Sequence, residues 1–116
     1  MSKAWLMTAC VLSGAALTLV APVAGAADFD AAAAQAMVKD NECFKCHTID
    51  KTKKGPPYKK IAAKYKGKAD AEAKLIKHIT TGPKVKLEDG SEEDHKIIET
   101  KNDAEIKNVV RWILSL

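Results

Sequence analysis

Apolar residues recur at helical spacing in four segments of the chain. The first segment, DFDAAAAQAMVKDNECFKCH, is rich in alanine and places Phe29, Ala33 and Met37 at intervals of four residues. Asp28 or Asp30 can cap its first turn. This pattern predicts a helix whose buried stripe follows the three apolar residues.

Three further segments carry the same signals. Residues 56–67 begin with two prolines and end at a glycine, an asymmetry typical of helix boundaries, and residues 70–82 run from a capping aspartate to a glycine. The last segment, residues 102–116, begins at a capping asparagine. The apolar positions that share a face are Tyr58, Ile61, Ala62 and Tyr65, then Leu75, Ile76 and Ile79, then Ile106, Val109, Val110, Ile113 and Leu114.

Strand patterns are nearly missing from residues 27–116. No run of five or more residues alternates β-branched or aromatic side chains with polar ones. Residues 82–101 contain Gly-Pro and Asp-Gly pairs, which are typical of turns, and are predicted to form a loop. The sequence therefore predicts an all-α domain of about four short helices with long polar connections.

The first 26 residues have a different character. A short positive start precedes an uncharged apolar run, and Ala24 and Ala26 occupy the −3 and −1 positions of a cleavage site. This is typical of a secretory signal peptide, which leaves residues 27–116 as one mature domain without a membrane span. An uncleaved membrane anchor is the alternative, but Pro22 and the small residues after it favour cleavage.

Charge is distributed unevenly along the chain. Residues 45–86 contain thirteen lysines and three acidic residues, whereas residues 87–105 contain eight acidic residues and two lysines. Such runs usually form solvated helix faces, but they can also orient a protein on a charged partner. Nucleic acid is not the expected partner, because only Tyr58 and Tyr65 interleave the lysines and the chain carries an export signal.

The chain contains a short motif of reactive side chains, Cys43, Cys46 and His47. Four kinds of site could use such a motif. A redox dithiol is typical of a strand–helix–strand setting, and strand patterns are missing here. A zinc site needs a second ligand pair, and only His78 and His95 remain, at wide and unequal spacing. A disulfide across two intervening residues would constrain little and would leave the histidine without a role.

Haem attachment explains all three side chains of the motif. The two thiols add to the two vinyl groups of the porphyrin, and the histidine directly after the second cysteine becomes the proximal iron ligand. A covalent haem also supplies the large apolar body that a small domain of short helices needs for packing. The motif therefore favours one covalently attached haem c, held by Cys43, Cys46 and His47.

With this motif in place, the chain resembles the small bacterial class I c-type cytochromes, which are soluble periplasmic electron carriers. The resemblance covers CFKCHTIDKTKKGPPYKKIAAKYKG, AEAKLIKHITTG and DAEIKNVVRWILSL, including the aromatic Trp112. It implies the class I cytochrome c fold, in which the first and last helices cross beside one haem. It also implies that Pro56 binds beside the cofactor next to His47, with a nearby backbone carbonyl accepting the second ring N–H.

The distal iron ligand departs from the family pattern. The family usually supplies a methionine from the loop before the last helix, but no methionine follows His47 in this chain. His95 lies within about one residue of that position, so the resemblance predicts His95 as the distal ligand. The alternatives are His78, Lys96, Asn102 or an open site.

The function predicted from these observations is that of a periplasmic one-electron carrier, not an enzyme. Ligation by two histidines would lower the reduction potential, because a second imidazole favours Fe(III) more than a thioether does. The lysines beside the motif are expected to surround the haem edge and bind an acidic redox partner; they are Lys45, Lys51, Lys53 and Lys54. The alternative is a haem-based ligand-binding or gas-sensing protein with a weak or open distal site.

Overall fold

A computed structural model describes residues 28–116 of the chain. The predicted signal peptide, residues 1–26, lies outside the described residues. In chain order the elements are α1 (Ala31–Asp40), a 3-10 turn (Cys43–Lys45), α2 (Tyr58–Tyr65), α3 (Ala71–Thr81), β1 (Lys84–Lys86), β2 (Glu92–Asp94) and α4 (Asp103–Leu114). Between residues 28 and 116, none of the helices has the length and apolar character needed to cross a membrane.

Local hydrogen bonds set the helix ends. The side chains of Asp30 and Asn102 each accept a backbone N–H from the first turn of α1 and α4, at 3.0 Å in both cases. Gly82 ends α3 in the left-handed conformation, with φ of 61°, which glycine adopts without a steric penalty. Asp70 stands at the predicted cap of α3, but its side chain makes no capping hydrogen bond.

Helix α1 differs from its prediction in length and in its buried face. It ends at Asp40, and its buried residues are Ala34 and Val38, whereas Ala33 is exposed. The predicted stripe was partly right, since Phe29 and Met37 pack against the core, but it was wrong at Ala33. Phe29 lies before the first helical residue, so the interval from it to Ala33 does not follow the helix face.

Helix α4 forms the centre of the core and packs against α1, α2 and α3. Its buried residues are Ile106, Val109, Val110, Trp112 and Ile113. Two hydrogen bonds join it to the start of α1: the Asp30 N–H donates to Asn108 Oδ1 at 2.6 Å, and Asn108 Nδ2 donates to the Asp30 carbonyl at 2.9 Å. The first and last helices therefore pack together.

A short hairpin interrupts the segment predicted as a loop. Strands β1 and β2 pair antiparallel, with Lys84 opposite Asp94 and Lys86 opposite Glu92. The Lys84 ammonium lies 2.8 Å from the Asp94 carboxylate. The loop prediction was wrong here because each strand has only three residues and β2 is fully exposed, so no buried alternation marks them.

Candidate haem site

A tight turn positions the two cysteines and the histidine of the motif. The backbone N–H groups of Cys46 and His47 both donate to the Cys43 carbonyl, at 3.2 and 3.0 Å. Cys43 and Cys46 are half-buried and carry free thiols. Burial raises the pKa of the Cys43 thiol. Both sulfur atoms are therefore available for covalent attachment.

Glu42 leads the chain into this turn through a strained conformation. Its φ is 57°, the one positive value for a non-glycine residue among those the structure describes. Its carboxylate lies 2.5 Å from the Lys45 ammonium and also pairs with Lys96. These two ammonium groups lower the pKa of Glu42 to about 2. The carboxylate therefore bridges the motif and the residue that follows His95.

The His47 ring is held on two sides. His47 Nδ1 lies 2.6 Å from the Pro56 carbonyl oxygen, which can only accept, so Nδ1 is the nitrogen that donates and Nε2 is the one that can bind a metal. The ring stacks on Tyr58, with centroids 5.2 Å apart and planes at 24°. A Cβ at Gly55 would lie 3.0 Å from His47 Cε1, so glycine permits this close approach. The carbonyl implied by the resemblance is thus that of Pro56 itself.

Tyr58 connects the motif to the hydrophobic core. Its ring centroid lies 5.5 Å from that of Trp112, at 64°, and 6.1 Å from that of Phe44, at 71°. The side chain is buried, and burial raises the pKa of its phenol. From the sequence, Tyr58 was expected only on the apolar face of a helix; its position directly after two prolines, close to the motif, was the signal that could have placed it at the site.

His95 lies close to His47. The two ring centroids are 6.0 Å apart, with planes at 47°. The His95 backbone N–H donates to the Pro83 carbonyl at 2.8 Å, which fixes the chain just after β2. Burial, followed by the nearby His78 and His47, lowers the pKa of His95 to about 4. The neutral imidazole that a metal requires is therefore the form present at neutral pH.

The other candidate distal ligands occupy different surroundings. The His78 ring on α3 has its centroid 4.2 Å from that of His95, and burial lowers its pKa. The Lys96 ammonium is engaged in an ion pair, and the Asn102 side chain caps α4. The structure therefore brings His47, His78 and His95 together, but it gives Lys96 and Asn102 other partners.

These side chains fit a covalently bound haem. Two free thiols precede the His47 imidazole, whose Nδ1 pairs with a backbone carbonyl, and a second imidazole lies 6.0 Å away between centroids. Metal–imidazole bonds are about 2 Å long, so two imidazoles on opposite sides of one metal ion have centroids about 6 Å apart.

Comparisons with known proteins agree with this fit. The family model described as cytochrome c matches residues 31–116. Cytochrome c2 of Rhodocyclus tenuis is 33% identical over 82 residues, covering 70% of this chain and 89% of that protein. Cytochrome c-551 of Pseudomonas aeruginosa is 44% identical over 48 residues, 41% of this chain, and the match spans 46% of that relative.

Solved structures give the same result. The class 1 cytochrome MtoD from Sideroxydans lithotrophicus ES-1 is 57% identical, with a TM-score of 0.71 over 75% of this chain and 96% of that one. Wild-type Nitrosomonas europaea cytochrome c552 is 32% identical, with a TM-score of 0.58 over 71% of this chain and 98% of that one. These matches confirm the predicted all-α class I cytochrome c fold.

Proteins of this family carry electrons and are not enzymes. Because the family model spans residues 31–116 and relatives match over most of both chains, this protein belongs to the cytochrome c family, as a small class I c-type cytochrome with one covalently attached haem c.

Proposed function

We propose that this protein is a periplasmic one-electron carrier whose haem iron is bound by His47 and His95. The observation that carries the proposal is the 6.0 Å separation of the two ring centroids. Cys43 and Cys46 hold the porphyrin through thioether bonds. The haem supplies the one-electron chemistry, and the protein binds it, orients its ligands and limits its contact with water.

On the proximal side, the surroundings of His47 hold one ring orientation. The hydrogen bond to the Pro56 carbonyl fixes the tautomer and raises the basicity of Nε2. Contact with Tyr58 and Gly55 restricts ring rotation. A ligand that keeps its position in both oxidation states suits a carrier, because little then has to move when an electron is transferred.

On the distal side, His95 takes the place of the family's methionine. Imidazole donates more strongly than a thioether and favours Fe(III), so we expect a lower reduction potential than in methionine-ligated relatives. Half-burial keeps the ring neutral near pH 7, which leaves a nitrogen lone pair for the iron.

The test is the visible spectrum and reduction potential of the haem-loaded protein beside those of His95→Ala. We expect the unmodified protein to be six-coordinate, low-spin and unreactive towards carbon monoxide. The variant should become high-spin, bind the gas rapidly and show a higher potential. Lys101→Ala, at an exposed position, is the matched control.

Two outcomes contradict the proposal in different ways. A His95→Ala protein that remains low-spin with an unchanged potential has another distal ligand. Rapid carbon monoxide binding by the unmodified protein indicates a gas-binding or sensing function instead of electron transfer.

Redox proteins are the partners of such a carrier, and the lysines beside the motif provide a surface for an acidic one. The Lys53 ammonium donates to the Phe44 carbonyl at 3.2 Å, which keeps its charge next to the attachment turn. Lys45, Lys51 and Lys54 are exposed nearby in sequence. A small polar interface of this kind favours fast, short-lived association.

A further inference from the structure

The two histidines of the proposed iron site differ at Nδ1. His47 Nδ1 donates to the Pro56 carbonyl, whereas His95 Nδ1 is buried and is the single buried side-chain nitrogen or oxygen without a partner among residues 28–116. Histidines that bind a metal through one nitrogen almost always donate the other N–H to an acceptor. The distal side therefore lacks a hydrogen bond that the proximal side has.

His78 is placed to supply the missing acceptor. Its ring centroid lies 4.2 Å from that of His95, with planes at 55°. A neutral imidazole offers one N–H and one lone pair, so it can accept from a second imidazole. An aligned N–H···N bond of about 3 Å places the two ring centroids about 5 Å apart, so the proposed bond requires the rings to turn and to separate slightly when haem is bound.

The backbone of α3 keeps His78 at this distance. His78 lies within the 11-residue helix Ala71–Thr81, which is anchored in the core by the buried Leu75. The backbone of the segment that carries His95 is joined to Pro83 and, through the Ile98 N–H, to the Ile79 carbonyl at 2.9 Å. The two segments that carry the imidazoles are therefore joined by a backbone hydrogen bond.

We propose that His78 is a positioning residue for the distal ligand and accepts a hydrogen bond from Nδ1–H of His95 in the haem-loaded protein. This inference rests on the proposed role of His95 at the iron. The hydrogen bond fixes the orientation of the His95 ring and makes its iron-binding nitrogen more basic, which favours Fe(III) and slows replacement of the ligand. The competing acceptor is the backbone of Lys96, which also contacts His95.

The experiment compares five haem-loaded proteins: unmodified, His78→Ala, His78→Gln, Lys77→Ala and His95→Ala. Lys77 is the exposed neighbour on α3 and controls for changes to the helix surface. Three quantities are measured: the reduction potential, the rate at which cyanide displaces the distal ligand of the ferric protein, and the NMR signal of His95 Nδ1–H in the reduced protein labelled with ¹⁵N-histidine.

We expect His78→Ala to raise the potential, to accelerate cyanide binding about tenfold and to shift the Nδ1–H signal with faster hydrogen exchange. His78→Gln retains an acceptor oxygen and should return all three quantities towards the unmodified values. Lys77→Ala should match the unmodified protein.

Two results would overturn the inference. If His78→Ala leaves all three quantities unchanged, the acceptor is another group, such as the Lys96 backbone. If the alanine and glutamine variants shift equally, the effect comes from packing and not from a hydrogen bond. The His95→Ala protein separates the two proposals. If its spectrum and potential equal those of the unmodified protein, His95 is not the distal ligand and both proposals fail. If only the His78 variants match the unmodified protein, this inference fails and the proposed function stands.

Discussion

The absence of a side chain at Gly55 allows the His47 ring to lie against the backbone. An added Cβ would lie 3.0 Å from Cε1 and 3.3 Å from Nδ1 of His47, closer than ordinary van der Waals contact. We expect Gly55→Ala to displace the ring from the Pro56 carbonyl and to lower the free energy of unfolding by about 1 kcal/mol. Urea unfolding and the reduction potential measure the effect. Lys54→Ala, at the exposed neighbouring position, should change neither the free energy of unfolding nor the reduction potential. A Gly55→Ala protein with the stability and potential of the unmodified protein would contradict the steric argument.

Glu42 links acidity to stability. Lys45 and Lys96 lower its pKa from 4.5 to about 2, so the folded protein binds this proton less readily than the unfolded chain. The stabilisation is therefore complete above pH 4.5 and is lost as the pH falls towards 2. We expect Glu42→Gln to unfold at a lower urea concentration than the unmodified protein at pH 6, by a small margin because the side chains are exposed.

The difference in urea midpoint between Glu42→Gln and the unmodified protein should decrease as the pH is lowered. Glu88→Gln, at another exposed position, controls for the loss of one negative charge. A difference between Glu42→Gln and the unmodified protein that stays constant down to pH 2 would show that the ion pairs are not its cause.

Individual site residues differed in how visible they were in the sequence. Cys43, Cys46 and His47 could be proposed as the attachment site, because covalent haem attachment uses a contiguous motif. Gly55 and Tyr58 could not be assigned to the site in this way, because their roles depend on contacts with a ring that only the folded chain creates.

Between elements, Asn108 joins α4 to the start of α1. Its amide accepts from the Asp30 N–H and donates to the Asp30 carbonyl, across 78 positions of sequence. We expect Asn108→Ala to lower the free energy of unfolding by about 1–2 kcal/mol through the loss of both hydrogen bonds. Lys107→Ala removes an exposed side chain from the preceding position and is the control. Equal urea midpoints for the two variants would mean that the amide contributes nothing.

An element could be predicted accurately from the sequence where its two ends carry clear local signals. Helices α2, α3 and α4 have proline, glycine or asparagine at their ends and regular apolar spacing, and these signals act within each segment. The end of α1 could not be predicted, because the following turn depends on the left-handed conformation of Glu42. The hairpin could not be predicted either, because cross-strand pairing leaves no buried pattern in strands of three exposed or half-exposed residues.

At the scale of the whole molecule, the proposed docking surface lies in the lysine-rich middle of the chain. We expect Lys53→Glu to slow electron transfer to an acidic redox protein several-fold at low ionic strength, because it reverses a charge beside the attachment turn. Lys66→Glu changes the net charge equally but lies at the far end of α2 from Tyr58. Stopped-flow kinetics over a range of salt concentrations measure both.

The difference in electron-transfer rate between the Lys53→Glu and Lys66→Glu proteins should decrease as salt is added, because screening weakens interactions between exposed charges. Equal rates for the two variants at every salt concentration would mean that the docking surface lies elsewhere on the molecule.

The hairpin has a consequence for behaviour at high concentration. It is a sheet of two strands within the described part of the chain, and exposed backbone edges of this kind can recruit a strand from another molecule. Here β1 carries Lys84 and Lys86, and β2 consists of three consecutive acidic residues. Pairing of two β1 edges or of two β2 edges would bring like charges together, so we expect identical edges of two molecules not to pair.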